Sequence, residues 1–279
     1  MVALARVNRA SYYRFEENAK PGADPDLELR DAIQRIALEW PSYGRPRITA
    51  ELRRRGWTVN SKRVYRLLRE DNLLCMRKRK FVVTTDSNHG RKVYPNLART
   101  IVLTDVDQLW VADLTYIRLD QEFLFLAVIL DAYSRCVIGW ALDRTLEDKL
   151  TLAALDQALS RRVVQPGLVH HSDRGVQYAS GDYTDRLKES GIEISMSRKA
   201  NPWDNAACES FLKTLKYEEV LRNEYRDLHE ARSSIQHFLE KVYNEKRLHS
   251  ALGYRPPAEF EAHLAVGKKE VAATRRLSP

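Results

Sequence analysis

The 279-residue chain lacks the features that mark secreted, membrane-spanning and disulfide-stabilised proteins. Its three cysteines are odd in number and far apart, so neither a disulfide framework nor a paired-cysteine zinc site is expected. No run of about 18 apolar residues occurs, and the N-terminus has no apolar core of signal-peptide length. A nucleotide-binding glycine loop, a serine nucleophile elbow and an HExxH zinc helix are also missing. These absences predict a soluble cytoplasmic protein.

The length of 279 residues suits about two domains. Positive charge is concentrated in the first part of the chain. Residues 1–100 hold 22 Lys and Arg against 11 Asp and Glu, a net charge of +11, whereas the remainder holds 24 against 27, a net charge of −3. Because each phosphate neutralised by a cation releases counterions, such a block favours a nucleic-acid partner. The alternative is a solvated basic surface.

The basic part shows the pattern of a helix-turn-helix. Apolar residues at helical spacing predict a helix over 27–39, a second from Ile48 to Gly56 and a third, capped by Asn60 or Ser61, that ends near residue 71. In a helix-turn-helix the second helix enters the major groove of DNA, although any basic pair of helices would show the same pattern. The residues expected to contact DNA are Lys62, Arg63, Arg66 and Arg69 in the motif at 48–71 and the following run Arg77, Lys78, Arg79 and Lys80.

Beyond a predicted linker at 81–100 the pattern changes to strands. Apolar and aromatic runs at 109–119, 122–133 and 136–143 are joined by short connections and predict an antiparallel meander. Helix, strand, helix, strand and two further helices follow, which is the order of the ribonuclease H-like fold. The predicted fold is therefore α/β, a ribonuclease H-like mixed five-stranded sheet flanked by helices, preceded by an all-α helix-turn-helix region. The helical, basic DNA-binding region spans 1–80, the ribonuclease H-like core 101–264 and a flexible C-terminal tail 265–279.

Three carboxylates become informative when they are placed on this fold. Asp113 lies within an apolar strand, Asp173 closes the fourth strand, and Glu209 lies on the helix that begins near Asn205. Taken singly, they also suit a strand-end hydrogen bond, a turn and a solvated helix face. Since the first and fourth strands are neighbours in this fold, the two aspartates should face each other about 5 Å apart, and the packed helix can add Glu209.

Clustered carboxylates repel one another unless cations compensate, and hard divalent ions with oxygen ligands serve that purpose. Two magnesium ions can activate a nucleophilic oxygen and stabilise the leaving oxygen in an attack on phosphorus. Lys213 and Lys216 lie four and seven residues after Glu209, so they share its helix face and would point at a polyanion over the metals. A salt-bridged solvent face is the alternative for both lysines.

Longer motifs carry a family resemblance over nearly the whole chain. The motifs LWVADLTYI, HSDRGVQY, NPWDNAACESFLKTLK and YNEKRLHSALGYRPPAEF resemble the second-reading-frame product (OrfB) of insertion-sequence-three family transposases. These belong to the DDE transposase and retroviral-integrase superfamily. The similarity continues upstream through YGRPRITAELRRRGWTVNSKRVYRLLRE.

The resemblance implies a two-metal-ion transposase that cleaves DNA at element ends and joins the strand to target DNA. By that match Asp113, Asp173 and Glu209 are the catalytic, metal-binding triad, with Mg²⁺ as cofactor and Mn²⁺ as a substitute, two ions in each site. It also implies a DNA contact by Lys216, a bacterial, nucleoid-associated location, at least a dimer on DNA, and an upstream OrfA partner or fusion. The late motif with Tyr243 to His249 has no physical assignment from the sequence.

Two other functions are compatible with the same residues. A DNA-binding regulator with an inactive catalytic fold would bind DNA without chemistry, and a stand-alone ribonuclease H-like nuclease would cleave strands without joining them. An assay of oligonucleotide cleavage and joining in magnesium separates the three.

Overall fold

A computed structural model describes residues 24–74, 92–119, 122–198 and 205–277, with side chains described as far as Lys268. The chain divides into two compact units between Arg77 and Lys78. The predicted basic run from Arg77 to Lys80 and most of the predicted linker lie outside the described residues. Within the described ranges, no helix is both long enough and apolar enough to cross a membrane.

The first unit contains three short amphipathic helices, α1 (Leu27–Glu39), α2 (Arg45–Arg54) and α3 (Ser61–Glu70). Their buried faces meet in one core, to which Ile33, Leu52 and Leu67 contribute fully buried side chains. Helix α2 begins three residues before the predicted start at Ile48, because a proline is accommodated in its first turn. The predicted cap of α3 is confirmed, since the Asn60 side chain accepts a hydrogen bond from the backbone N–H of Lys62.

The second unit is built on a five-stranded sheet with the order β3-β2-β1-β4-β5. Strand β1 pairs antiparallel with β2, and β2 pairs antiparallel with β3, whereas β4 runs parallel to both β1 and β5. This topology confirms the predicted ribonuclease H-like mixed sheet. The strands are β1 (Leu109–Arg118), β2 (Phe123–Asp131), β3 (Val137–Asp143), β4 (Val169–Ser172) and β5 (Glu193–Met196).

Helices cover both faces of the sheet and create two apolar cores. Alternation along β1 sends Trp110 toward α4 (Asp148–Arg161) and α5 (Gly181–Glu189), and Val111 toward α6 (Ala206–Glu218) and α7 (Leu228–His237). Helix α4 approaches β3 so closely that a Cβ on Gly139 would lie 2.2 Å from the carbonyl oxygen of Ala154. Both faces of the sheet are therefore covered by helices.

The chain after α7 continues helically. A π-helix spans Phe238–Tyr243, and α8 spans Pro257–Leu277. The segment 265–277, for which a flexible tail is predicted, lies within α8 and is rich in Ala, Lys, Glu, Arg and Leu, which are strong helix formers. Lys268 in this segment forms an ion pair with Asp105.

The end of the predicted linker packs against the second unit. Leu97 and Ile101 lie against the core between the sheet and α6. The backbone N–H of Leu97 also donates a hydrogen bond to Ser195 Oγ at 2.9 Å. Residues just before β1 therefore contribute to the sheet unit.

Candidate active site

Asp113 lies on β1 at the point where that strand loses one neighbour. It pairs with Val128 of β2, but the last residue of β1 that pairs with β4 is Val111, opposite His171. Continuing that parallel register brings Asp173, the first residue after β4, opposite Asp113. The sequence predicts this juxtaposition, and it follows from the topology of the sheet.

The Asp173 carboxylate is oriented by the turn that follows it. Its Oδ1 accepts a hydrogen bond of 2.8 Å from the backbone N–H of Gly175. A Cβ on Gly175 would lie 2.9 Å from the same oxygen, closer than real Cβ contacts allow. Glycine is therefore required at position 175 for this carboxylate to keep its place.

Glu209 lies in the first turn of α6, where the helix dipole favours a carboxylate. The helix start is fixed to β1 by Asn205, whose Nδ2 donates a hydrogen bond of 3.1 Å to the carbonyl oxygen of Ala112. Asn205 stands at the cap position, yet its side chain does not cap the helix. One buried amide therefore joins the Glu209 helix to the residue that precedes Asp113.

The charges of these groups are coupled. Burial and the neighbouring Asp173 and Glu209 carboxylates raise the pKa of Asp113 to about 7, against smaller opposing effects of the Leu114 N–H and of Lys216. Lys216 Nζ lies 4.8 Å from the centroid of the Tyr116 ring, and burial lowers the pKa of this amine. The three carboxylates and Lys216 thus lie within electrostatic reach of one another.

The chemistry of this donor set fits magnesium, since carboxylate oxygens are the ligands that hard divalent cations prefer. A half-buried aspartate beside two more carboxylates is also the kind of group that a cation stabilises. Among the described residues, however, no group of three or more His, Cys, Asp or Glu side chains is arranged so that it could hold a metal ion. The carboxylates are neighbours without forming a closed ligand set.

Comparison with known proteins identifies the family. Two models described as "Integrase core domain" match residues 104–202 and 190–257, and one described as "HTH-like domain" matches residues 24–81. "Transposase InsF for insertion sequence IS3A" of Escherichia coli K12 is 38% identical over 220 residues, which cover 78% of this chain and 76% of that protein. The chain belongs to the IS3 family of insertion-sequence transposases.

A second relative of the transposase is the "Insertion element IS600 uncharacterized 31 kDa protein" of Shigella sonnei. It is 40% identical over 264 residues, which cover 93% of this chain and 97% of that protein. Among solved structures, the HTLV-2 integrase catalytic core domain in complex with magnesium matches with a TM-score of 0.42 and 17% identity, covering 56% of this chain and 97% of that one.

The late motif of the transposase, residues 243–249, packs against the helix that carries Glu209. Tyr243 meets Phe211 of α6 edge to face, with ring centroids 4.9 Å apart. Arg247 donates two hydrogen bonds, of 2.7 and 2.8 Å, to the carboxylate of Glu218 at the other end of α6. Asn244 pairs with both backbone polar groups of Val137 on the edge strand. Sequence reasoning missed these roles because each contact joins segments 29 or more residues apart.

The basic residues expected to contact DNA differ in their ion pairs. Lys213 is exposed on α6, and Lys62, Arg63, Arg66 and Arg69 are exposed on α3. Arg63 and Arg66 form ion pairs with Asp26, which sequence reasoning did not single out. The prediction for Arg77 to Lys80 falls outside the described residues.

Proposed function

We propose that this transposase cleaves DNA at the ends of its insertion sequence and joins the strand to target DNA, using Asp113, Asp173 and Glu209 with Mg²⁺. The observation that carries the proposal is the placement of Asp173 opposite Asp113 by the parallel register of β1 and β4, with Glu209 near enough that burial, Asp173 and Glu209 together raise the pKa of Asp113 to about 7. A chain with no use for a cation would gain nothing from a half-buried aspartate placed among like charges.

Each part of the site has a definable role in this reaction. The carboxylates would hold two Mg²⁺ ions. When bound, these ions would activate the attacking oxygen and stabilise the leaving oxygen. Gly175 and Asn205 hold Asp173 and the start of α6 in place through the hydrogen bonds described above. Lys216 keeps a positive charge beside Asp113, where a DNA phosphate would come close to the carboxylates.

The overall reaction is an exchange of phosphodiester bonds. Water first breaks a bond at the element end and leaves a 3′-hydroxyl. The oxygen of that hydroxyl then forms a bond to a target phosphorus as the target 3′-oxygen leaves, so no external energy source is needed. Because two element ends are joined together, we also propose at least a dimer on DNA. From the family resemblance we propose an upstream OrfA partner or fusion.

The experiment is a strand-transfer assay with labelled duplexes that carry the terminal sequences of the element encoding the chain. Asp113→Asn, Asp173→Asn and Glu209→Gln should each abolish cleavage and joining in magnesium while leaving DNA binding intact. Glu189→Gln removes an exposed carboxylate of α5 and serves as the matched control with full activity.

The outcomes separate the competing functions. Undiminished strand transfer by any of the three variants would refute the proposal. Cleavage without joining by the unmodified chain, tested with and without an OrfA partner, would identify a nuclease. Binding without either reaction under both conditions would identify a regulator.

A further inference from the structure

Helix α3 carries two kinds of basic side chain. Arg63 and Arg66 both contact Asp26, which precedes α1 and is only 6% exposed. Arg63 Nε donates to Asp26 Oδ1 at 2.8 Å, and Arg66 Nη2 donates to Asp26 Oδ2 at 2.6 Å. These two cations therefore hold α3 against the start of α1.

A buried aspartate depends on such partners. Removing the cations that pair with a buried carboxylate leaves an uncompensated charge, which is strongly destabilising. A guanidinium that already pairs with a carboxylate must also give up that pair before it can bind a phosphate closely. Arg63 and Arg66 are accordingly poor sources of DNA affinity, although their charge and exposure resemble those of their neighbours.

Lys62 and Arg69 lie on the same side of α3 as Arg66, and they differ from it in their partners. Lys62 and Arg69 are seven residues apart, and therefore on one side of the helix, and both are exposed. Neither forms an ion pair with any residue in the described part of the chain. Tyr65 lies beside them with 43% of its surface exposed, and the Arg45 guanidinium from the start of α2 lies 5.5 Å from its ring centroid.

We propose that Lys62, Tyr65, Arg69 and Arg45 form the surface that reads duplex DNA, whereas Arg63 and Arg66 position the helix. The cations contact phosphates or guanine edges, and the Tyr65 ring contacts a base in the major groove. Charge complementarity supports duplex DNA as the occupant, because unpaired cations bind phosphates with the full gain from counterion release. This inference rests on the proposed function only in taking DNA as the substrate.

A matched pair of variants tests the assignment of the cations. Arg69→Ala and Arg66→Ala remove the same charge from the same helix and differ in whether Asp26 holds the side chain. Full-length chains are titrated, in EDTA so that no chemistry occurs, with a labelled pool of duplexes of randomised sequence. Arg69→Ala and Lys62→Ala should weaken binding several-fold and lower the salt dependence by about one charge each. Arg66→Ala should retain affinity and melt at a lower temperature.

The role of Tyr65 is tested by how well the chain discriminates between two DNA sequences. A duplex enriched from the same pool by repeated selection is compared with a scrambled duplex of equal length and composition. Tyr65→Ala should reduce the affinity ratio of the two duplexes by about tenfold, while Leu38→Ala, which removes an apolar side chain that is 79% exposed on α1, should not change it. Circular dichroism verifies that every variant is folded.

Two results would overturn the inference. One is an equal loss of affinity in Arg66→Ala and Arg69→Ala, and the other is an unchanged affinity ratio in Tyr65→Ala. Since binding is measured without magnesium, a failure of strand transfer would refute the proposed function and leave this assignment standing.

Discussion

Replacing Asp113 by Asn should stabilise the protein and abolish its activity. In the folded chain, burial and the Asp173 and Glu209 carboxylates raise the pKa of Asp113 from 3.8 to about 7. A carboxyl whose pKa is raised by folding stabilises the protein while it is protonated, and that contribution is lost as pH rises through the folded value. Each pKa unit corresponds to about 1.4 kcal/mol, so an ionised Asp113 makes folding less favourable by about 4 kcal/mol above neutral pH.

The assay is calorimetric unfolding of the full-length chain at about pH 5 and about pH 8, with and without magnesium. At the higher pH, Asp113→Asn should melt several degrees above the unmodified protein, since 1 kcal/mol corresponds to about 2–4 °C for a unit of this size. At the lower pH the difference should fall to less than half, because folded Asp113 is then protonated while the unfolded chain, in which the aspartate pKa is near 3.8, still releases its proton. Magnesium should raise the melting temperature of the unmodified protein at the higher pH more than that of the variant.

Asp131 provides a comparison on the same sheet, because burial raises its pKa as well but hydrogen bonds hold its carboxylate. It is fully buried, yet its carboxylate accepts hydrogen bonds from the backbone N–H groups of Asp107, Tyr133 and Ser134 and from Ser134 Oγ. Asp131→Asn should therefore destabilise the fold by about 1–3 kcal/mol, since an amide oxygen cannot accept all of these bonds. If Asp113→Asn behaved like Asp131→Asn, the reasoning about the candidate site would be refuted.

Three further substitutions test how the site and the sheet are held. Gly175→Ala should displace the Asp173 carboxylate and lower strand transfer at least about tenfold with little change in melting temperature, as gel assays and circular dichroism would show. Asn205→Ala should cost about 1–3 kcal/mol in urea unfolding, because the carbonyl of Ala112 loses a buried donor. Gly139→Ala should destabilise the sheet unit by about 1–3 kcal/mol or more, seen as a lower melting temperature, because a helix carbonyl occupies the space of the new methyl group.

The sequence was sufficient to predict the sheet and the positions of the three carboxylates. Strand β1 is a largely apolar run with one carboxylate, Asp113, in its interior, and apolar periodicity is the strongest local signal in a sequence. Once the strand order was known, the parallel pairing of β1 and β4 required Asp173 to lie opposite Asp113. These inferences need only local pattern and topology.

Contacts between distant segments were not predictable in the same way. Asn205 has the residue type of a helix cap and sits at the cap position, but its side chain binds the carbonyl of Ala112, 93 residues earlier. Arg63 and Arg66 match Lys62 and Arg69 in charge and periodicity, and only the position of Asp26 separates the two pairs. A side chain of one type can serve two roles, and the tertiary partner decides which.

The anchoring of α6 limits how the carboxylates can come together around metal ions. Asn205 fixes the start of this helix to β1, and the buried pair of Glu218 and Arg247 fixes its end to the segment after Tyr243. Glu209 lies between these anchors, so a movement of the helix toward Asp113 would break a buried hydrogen bond or a buried ion pair. Rotation of the Glu209 side chain breaks neither, and it is therefore the less costly route to a closed ligand set.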